Sequence, residues 1–191
     1  MLKLLIIISS FLIINITTSL ANCNFVSGKF IEKLNNPKSI NSIEIKVPKS
    51  SNYVKNFYKI ITSNTKIIEP KLKKKFKAEI KIKYNFGECV YSGKVRQHGD
   101  FKDHIDFEKG IRSLDVTLTE GNVLNAVRFK LLIPKTRYDL NEIIGSLMLK
   151  NLGFISPETF QVKSKVNNSE SIMLFQEVAR KELLEKNNRR E

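Results

Sequence analysis

The sequence predicts an α+β fold in which a mostly antiparallel sheet packs with two or three helices. Three observations support this fold class. From about residue 40 onward, short segments alternate apolar and polar side chains, which is the period of half-buried strands. Turns containing Gly or Asn separate consecutive segments, which favours hairpins. One segment, from Asp139 to Gly153, instead repeats its apolar residues at helical spacing.

The first 21 residues have the composition of a cleavable export signal. Lys3 supplies a positive charge, a mostly apolar run extends from Leu4 to Ile16, and Ser19 and Ala21 occupy the −3 and −1 positions that a signal peptidase prefers. We therefore expect cleavage between Ala21 and Asn22 and a secreted or periplasmic bacterial protein without a membrane span after cleavage. A retained N-terminal anchor is the alternative, although the apolar run is shorter than the roughly 20 residues that a span needs.

Length and charge narrow the class of protein. The 191-residue chain without its first 21 residues fits one domain, formed by segments 22–88 and 89–191 packed together. The chain has 33 Lys and Arg against 19 Asp and Glu, a formal net charge of +14, which attracts anionic surfaces. A biased base composition of the genome, rather than a binding function, is the alternative explanation for the many lysines. The export signal and the sparse aromatic residues argue against a nucleic-acid partner.

Cys23 and Cys89 are the only cysteines of the chain. An even count in an exported protein predicts a disulfide between them, with two buried free thiols as the alternative. Two cysteines and two histidines do not predict a structural zinc site. His98 and His104 lie near several aspartates, so the sequence leaves two interpretations of this segment open: a weak metal site or an ordinary polar loop.

The first half of the chain contains three predicted strands and a helix. The lysine-rich strand in the middle places its apolar side chains on one face and its charged ones on the other, so a solvated basic face accounts for its composition. The turn at residues 86–88 predicts a hairpin between this strand and the next. The predicted elements are a strand at Ile40–Val47, a helix at Tyr53–Ile61, and strands at Phe76–Tyr84 and Cys89–Arg96.

The second half continues with a polar loop from Gln97 to Gly110 and then strands and helices in alternation. The main helix is expected to begin at Asp139, where Asp as N-cap and Glu142 three residues later form a capping-box pattern, and to end at Gly153. The other predicted elements are strands at Ser113–Leu118 and Ala126–Ile133, a hairpin of Phe160–Val166 with Ser171–Phe175, and a helix from Val178.

The order of several short segments resembles the CotH-type spore-coat kinase family and its exported bacterial relatives. Lys94–Gly99 is similar to the family's Val-Arg-x-x-Gly segment, and Met173–Glu177 is similar to a strand that ends in Glu. The other similar segments are Ser113–Leu118, Phe129–Leu132, Leu149–Phe154 and Pro157. The resemblance covers a little over half of the chain, from about residue 89 to the end.

The resemblance implies a kinase-like α+β fold whose N-terminal lobe this chain would form, with ATP and Mg²⁺ or Mn²⁺ bound between two lobes. Arg96 and Gly99 would line the phosphate loop, because a glycine lets backbone N–H groups approach phosphate oxygens. Lys130 is the candidate substitute for a family lysine that is Thr117 here, and Glu177 would lie near the lobe junction.

Two functions follow from these observations. By resemblance, the chain is the N-terminal portion of an exported kinase that phosphorylates protein hydroxyls. The family's catalytic and metal-binding acids belong to a C-terminal lobe, so we expect this polypeptide, a fragment by that comparison, to be inactive alone. The alternative is a non-enzymatic secreted or periplasmic module that binds an anionic surface polymer through its basic face.

Overall fold

A computed structural model describes residues 22–24 and 31–189 of the chain. The predicted signal peptide, including Ala21, lies outside the described residues. The strands are β1 (Asn22–Cys23), β2 (Ile40–Lys46), β3 (Phe76–Tyr84), β4 (Gly87–Gln97), β5 (Ile105–Asp106), β6 (Ile111–Arg112), β7 (Leu114–Leu118), β8 (Arg128–Leu132), β9 (Thr159–Val166) and β10 (Ser169–Glu177). The α-helices are α1 (Ile31–Leu34), α2 (Ser50–Thr62), α3 (Asn141–Asn151) and α4 (Lys181–Glu185).

Seven of these strands form a closed barrel in the order β4-β3-β2-β9-β10-β8-β7, and β7 pairs back onto β4. Neighbouring strands are antiparallel except for β2 and β9, which run parallel. The hairpins predicted for β3 with β4 and for β9 with β10 are both present. The short strand β1 adds to the β4 end of the order, at Cys89 and Val90.

The expectation of an open, kinase-like N-terminal lobe sheet with helices is wrong, because the sheet closes on itself. Closure depends on the length of β4, which is 11 residues. On one edge, Gly87 to Val95 pair with β3. On the other edge, Cys89 and Val90 pair with β1, and Gly93 to Gln97 pair with β7. Among the described residues the helices are also few and short. The closed sheet therefore makes the fold a β-barrel rather than the expected α+β lobe.

Alternation along the strands fills the barrel with apolar side chains. The inward residues are fully buried in a single cluster that includes Ile43, Ile80, Val116 and Phe129. Phe129 and Phe175 stack with ring centroids 4.8 Å apart. The intervening outward residues are polar or charged, as the sequence pattern predicts for strands with one solvated face. The barrel exterior is therefore the surface on which functional side chains are displayed.

Helix α3 begins two residues later than the sequence predicts, and its capping box does not form. Tyr138 and Asp139 have positive φ angles of 49° and 55°, so Asp139 lies in the left-handed region and Leu140 is the N-cap residue without a side-chain cap. The predicted C-terminal end is confirmed: Gly153 has φ of 80°, and the Phe154 N–H donates to the Leu149 carbonyl at 2.9 Å. These contacts form a Schellman motif.

Candidate functional site

Sheet register places four basic side chains next to one another on the outside of β4, β7 and β8. Arg96 is opposite Asp115, and Asp115 is opposite Lys130. One step along the same strands, Thr117 lies between Lys94 and Arg128. We refer to Lys94, Arg96, Arg128 and Lys130 as the basic face. Adjacent strands are about 4.8 Å apart, so all four side chains lie close to the central Asp115.

Asp115 anchors two arginines on the basic face. Its Oδ2 accepts hydrogen bonds from Arg96 Nε at 3.1 Å and Nη2 at 2.9 Å. Its Oδ1 accepts from Arg128 Nε at 2.6 Å, and Arg128 Nη2 forms an ion pair with Oδ2. Burial alone would raise the pKa of Asp115, but the hydrogen bonds and charges of Arg128 and Arg96 outweigh burial and lower the pKa below its ordinary value. The carboxylate is therefore ionised throughout the neutral range.

The two arginines remain accessible although the carboxylate is buried. The Asp115 side chain is 2% exposed, compared with 37% for Arg96 and 21% for Arg128. A guanidinium has five N–H donors, and both arginines contact Asp115 through their Nε and Nη2 groups. Among residues 22–24 and 31–189, no hydrogen-bond partner occupies either Nη1 group, which leaves these donors for a ligand. Fixing both side chains on one carboxylate also reduces the rotamer entropy that a ligand would otherwise have to remove.

Lys130 lies in an environment that already contains an excess of positive charge. Burial lowers the pKa of Lys130 below its ordinary value of 10.5, and the positive charges of Arg137 and Arg128 lower it further. Asp115 and Glu142 offset this shift only in part. A bound anion would relieve the repulsion among these cations, so the electrostatics of the site favour negatively charged ligands.

A shallow pocket of about 540 Å³ extends the basic face toward β3. Lys77 on β3 lies directly opposite Lys94, and both lysines line this pocket. Two like charges opposite each other in a sheet are unfavourable without a counter-charge. Glu79 and Glu120 line the same pocket, so the strongest positive charge is concentrated at β4, β7 and β8 rather than in the pocket itself.

The structure brings together some of the residues that the sequence singled out, but not all of them. Arg96 and Lys130 both flank Asp115. Gly99 follows the end of β4 with φ of 87°, and a Cβ added there would collide with the His104 ring. Glu177 points to the other side of the sheet: it pairs with Phe129, whose side chain is in the core, whereas its neighbour Gln176 pairs with Lys130.

Glu177 has local partners at the barrel end. Its Oε2 accepts hydrogen bonds from the Lys186 ammonium at 2.6 Å and from the Glu158 backbone N–H at 3.1 Å. Its side chain is 1% exposed. These contacts connect α4 and the start of β9 to the end of β10. Glu177 is therefore separated from Arg96 and Lys130 by the thickness of the sheet.

The sequence did not single out Asp115, the centre of the site, or Arg128, one of the cations of the basic face. Asp115 lies within a strand whose neighbours Leu114 and Val116 are fully buried, so the segment looks like an ordinary sheet strand. A charged residue between buried apolar residues was the available signal, because such a residue needs a partner if its side chain is covered. Arg128 lies two residues before Lys130 and therefore on the same face of β8.

The histidine segment adjoins this site. The rings of His98 and His104 are 5.3 Å apart. Burial, followed by the charges of Lys130 and His104, lowers the pKa of His98 from 6.5 to about 4, so His98 is neutral at physiological pH. No group of three His, Cys, Asp or Glu side chains able to hold a metal ion occurs within residues 22–24 and 31–189. The predicted polar loop Gln97–Gly110 contains β5, which forms a short ribbon with β6 directly after the loop.

The predicted disulfide is confirmed. Cys23 on β1 is bonded to Cys89 on β4, across the register pair that joins these strands. Such a bond is typical of an oxidising compartment outside the cytoplasm. In the part of the chain that the structure describes, no helix is long and apolar enough to cross a membrane.

Comparison with known proteins does not assign the chain to a class. No protein-family model matches the sequence, and no curated protein matches it. The resemblance to the CotH-type kinases therefore stays a prediction from short segments. The description of the basic face therefore depends on the geometry of the barrel alone.

Proposed function

We propose that this protein is a non-enzymatic module that binds an anionic polymer outside the cytoplasm through its basic face. The observation that carries the proposal is the arrangement around Asp115: one buried carboxylate holds Arg96 and Arg128 side by side, and within the described part of the chain their Nη1 groups have no partner other than a ligand. Arginine presents its donors in a fixed fork that matches phosphate and carboxylate oxygens. Lys94 and Lys130 add a cation on either side of this pair.

A polymer fits the face better than a single small anion. The four cations lie in two rows across three adjacent strands on the outside of the barrel, and the Arg96 and Arg128 side chains remain 37% and 21% exposed there. Repeating negative charges can occupy several such positions at once, and each contact releases a counterion, so affinity accumulates over a shallow surface. We propose that the ligand is a phosphate-bearing polymer, because the paired guanidiniums match phosphate oxygens.

The cellular location follows the same proposal. The Cys23–Cys89 disulfide supports an oxidising environment, and the predicted export signal would deliver the chain there. We therefore place the protein in the periplasm or outside the cell, where polymers of the cell surface carry anionic groups.

The kinase hypothesis stays an untested prediction, and the residues present do not fit a single nucleotide and metal site. Glu177 pairs with the core residue Phe129 and lies on the face of the sheet opposite to Arg96 and Lys130. ATP bound with Mg²⁺ or Mn²⁺ would need these groups on one side of a cleft. We therefore derive no phosphoryl-transfer step from this geometry.

The test is binding of the full chain without residues 1–21 to long-chain sodium polyphosphate, measured over a salt series. With four cations engaged, affinity should fall about 100-fold between 50 and 200 mM salt. The double variant Lys94→Gln with Lys130→Gln should bind roughly 10-fold or more weakly and show a shallower salt slope, because two contacts are lost. Poly-glutamate in place of polyphosphate distinguishes carboxylate from phosphate recognition.

The matched control is the double variant Lys46→Gln with Lys163→Gln. These lysines are exposed on β2 and β9, away from the basic face, and their replacement changes the net charge by the same amount. We expect less than a twofold effect on binding. Equal losses in both double variants would mean that only net charge matters, and absence of polyphosphate binding by the unmodified chain would overturn the proposal.

A further inference from the structure

Helix α3 packs against the barrel with its polar side. Glu142 accepts a hydrogen bond from Gln176 Nε2 at 2.9 Å, and Ser146 Oγ bonds to Thr159 Oγ1 at 3.0 Å. One turn further, Lys150 forms an ion pair at 2.6 Å with Glu158. The three polar residues recur every four positions, so they form one stripe along the helix that faces β9 and β10.

The apolar side of the helix faces solvent as a consequence. On this side of α3 and in the residues just before and after the helix, six large apolar side chains are between 49% and 69% exposed. We refer to them as the α3 apolar face: Leu140, Ile144, Leu147, Met148, Leu152 and Phe154. This orientation is the reverse of an ordinary surface helix, in which the apolar stripe faces the core.

The α3 apolar face is large enough to be an interface. Its six side chains expose on the order of 600 Å², which is at or above the size of the largest apolar patch on a typical monomer. Tyr138, 82% exposed at the start of the helix, adds to it. If all of this area were covered, two copies facing each other would bury about 1,200 Å² in total, the area at which specific, stable interfaces begin.

We propose that the α3 apolar face is a two-fold dimer interface between copies of this chain. The apolar positions extend from Leu140 to Leu152 and are centred near residue 146, so an antiparallel helix pair would set Leu140 of one copy against Leu152 of the other. Such a pair is self-complementary, as two-fold symmetry requires. The polar residues on this side of the helix are Asn141 and Asn151, both exposed, and the same antiparallel register sets Asn141 of one copy against Asn151 of the other, where the two amides can hydrogen-bond.

The charges at the rim favour a second copy over a lipid surface. Lys135 and Asp139, both exposed and adjacent to the first turn of α3, have opposite signs. An interfacial lipid-binding helix instead has a polar face rich in Lys and Arg beside its apolar face. Dimerisation would leave the basic face of each copy free, because the two faces share no residue, and would make polymer binding bivalent.

The experiment measures the mass of the chain without residues 1–21 by sedimentation equilibrium, over about 1 to 200 µM protein and at low and high salt. We expect a concentration-dependent dimer that becomes tighter at high salt, since salt screens the repulsion between two chains that each carry a net charge of +13 once Lys3 is removed with residues 1–21. Polymer binding has the opposite salt dependence, so failure of one proposal is distinguishable from failure of the other.

The variant Leu147→Glu places a charge at the centre of the proposed interface and should weaken dimerisation at least 10-fold. Val54→Glu is the matched control, because Val54 is 57% exposed on α2 and lies outside the α3 apolar face. Thermal unfolding would check that both variants are folded. A monomer at every concentration, or an unchanged dimer in Leu147→Glu, would overturn the proposal. Binding of the monomer to anionic lipid vesicles that Leu147→Glu abolishes would assign the face to lipid instead.

Discussion

Replacement of Asp115 by Asn tests the central feature of the basic face. The substitution keeps the shape of the side chain but removes the charge that neutralises Arg96 and Arg128. Breaking a fully buried ion pair costs about 3–5 kcal/mol. Because the two arginines are 37% and 21% exposed, water screens part of that loss, and we expect a smaller decrease of about 2–3 kcal/mol in the free energy of unfolding.

The assay is urea unfolding at neutral pH. With a slope of about 1.5–2 kcal/mol per molar urea, the midpoint of Asp115→Asn should fall by roughly 1–2 M at an unchanged slope. Glu170→Gln is the comparison variant, since Glu170 is 68% exposed and pairs with the exposed Lys165. Its effect should be below about 0.5 kcal/mol. Equal effects of the two substitutions would refute the structural role assigned to Asp115.

The same variant separates anchoring from simple charge in ligand binding. Asp115→Asn makes the protein one unit more positive, so net charge alone predicts tighter binding to polyphosphate. If Asp115 acts by holding Arg96 and Arg128 in position, the variant should bind more weakly despite the added charge, because both side chains regain rotamer freedom. Tighter binding by a folded Asp115→Asn protein would contradict the anchoring argument.

Two further predictions concern glycines and pH. Gly99→Ala should lower the free energy of unfolding by at least about 2 kcal/mol, since its φ is 87° and a Cβ has no room. Gly145→Ala, in mid-helix with no atom within 4 Å of the new Cβ, should instead raise the free energy of unfolding by about 0.5–1 kcal/mol. Thermal melts compare the two variants, and a change in stability of the same sign in both would contradict the geometry. The pKa of His98 is lowered from 6.5 to about 4 in the fold, so its stabilising contribution is complete above pH 6.5 and is lost as the pH falls toward 4. His98→Asn should flatten the decrease in unfolding midpoint over this interval, and an unchanged pH profile would show that His98 is not the titrating group.

The alternation of apolar and polar side chains predicted most of the strands, because this pattern can be recognised within each segment by itself. β3 occupies the predicted segment Phe76–Tyr84, and β2 matches the predicted strand to within one residue. Closure of the barrel could not be predicted in this way. The pairings of β4 with β7 and of β2 with β9 join segments that are not adjacent in the sequence. Strands also show the same alternation of side chains in an open sheet as in a barrel.

The orientation of α3 and the role of Asp115 could not be predicted either, because both depend on contacts with other segments of the chain. The periodicity around Ile144 and Leu147 shows that the helix has an apolar side, but not that this side faces solvent, because the choice depends on the partners Gln176 and Thr159. Arg96 and Lys130 were identified as candidates from the sequence. Asp115, which brings them together, has its role only through register between strands that the sequence does not specify.

The parallel pairing of β2 with β9 has a consequence for how the protein is made. The strand at Ile40–Lys46 has to wait for its partner at Thr159–Val166, more than a hundred residues later, before its second edge is satisfied. Distant pairings of this kind slow folding, typically to milliseconds or seconds. Until then the nascent sheet has an unpaired edge that other chains can join. A chain synthesised from its N-terminus therefore depends on its last two strands to convert an aggregation-prone sheet into a protected barrel.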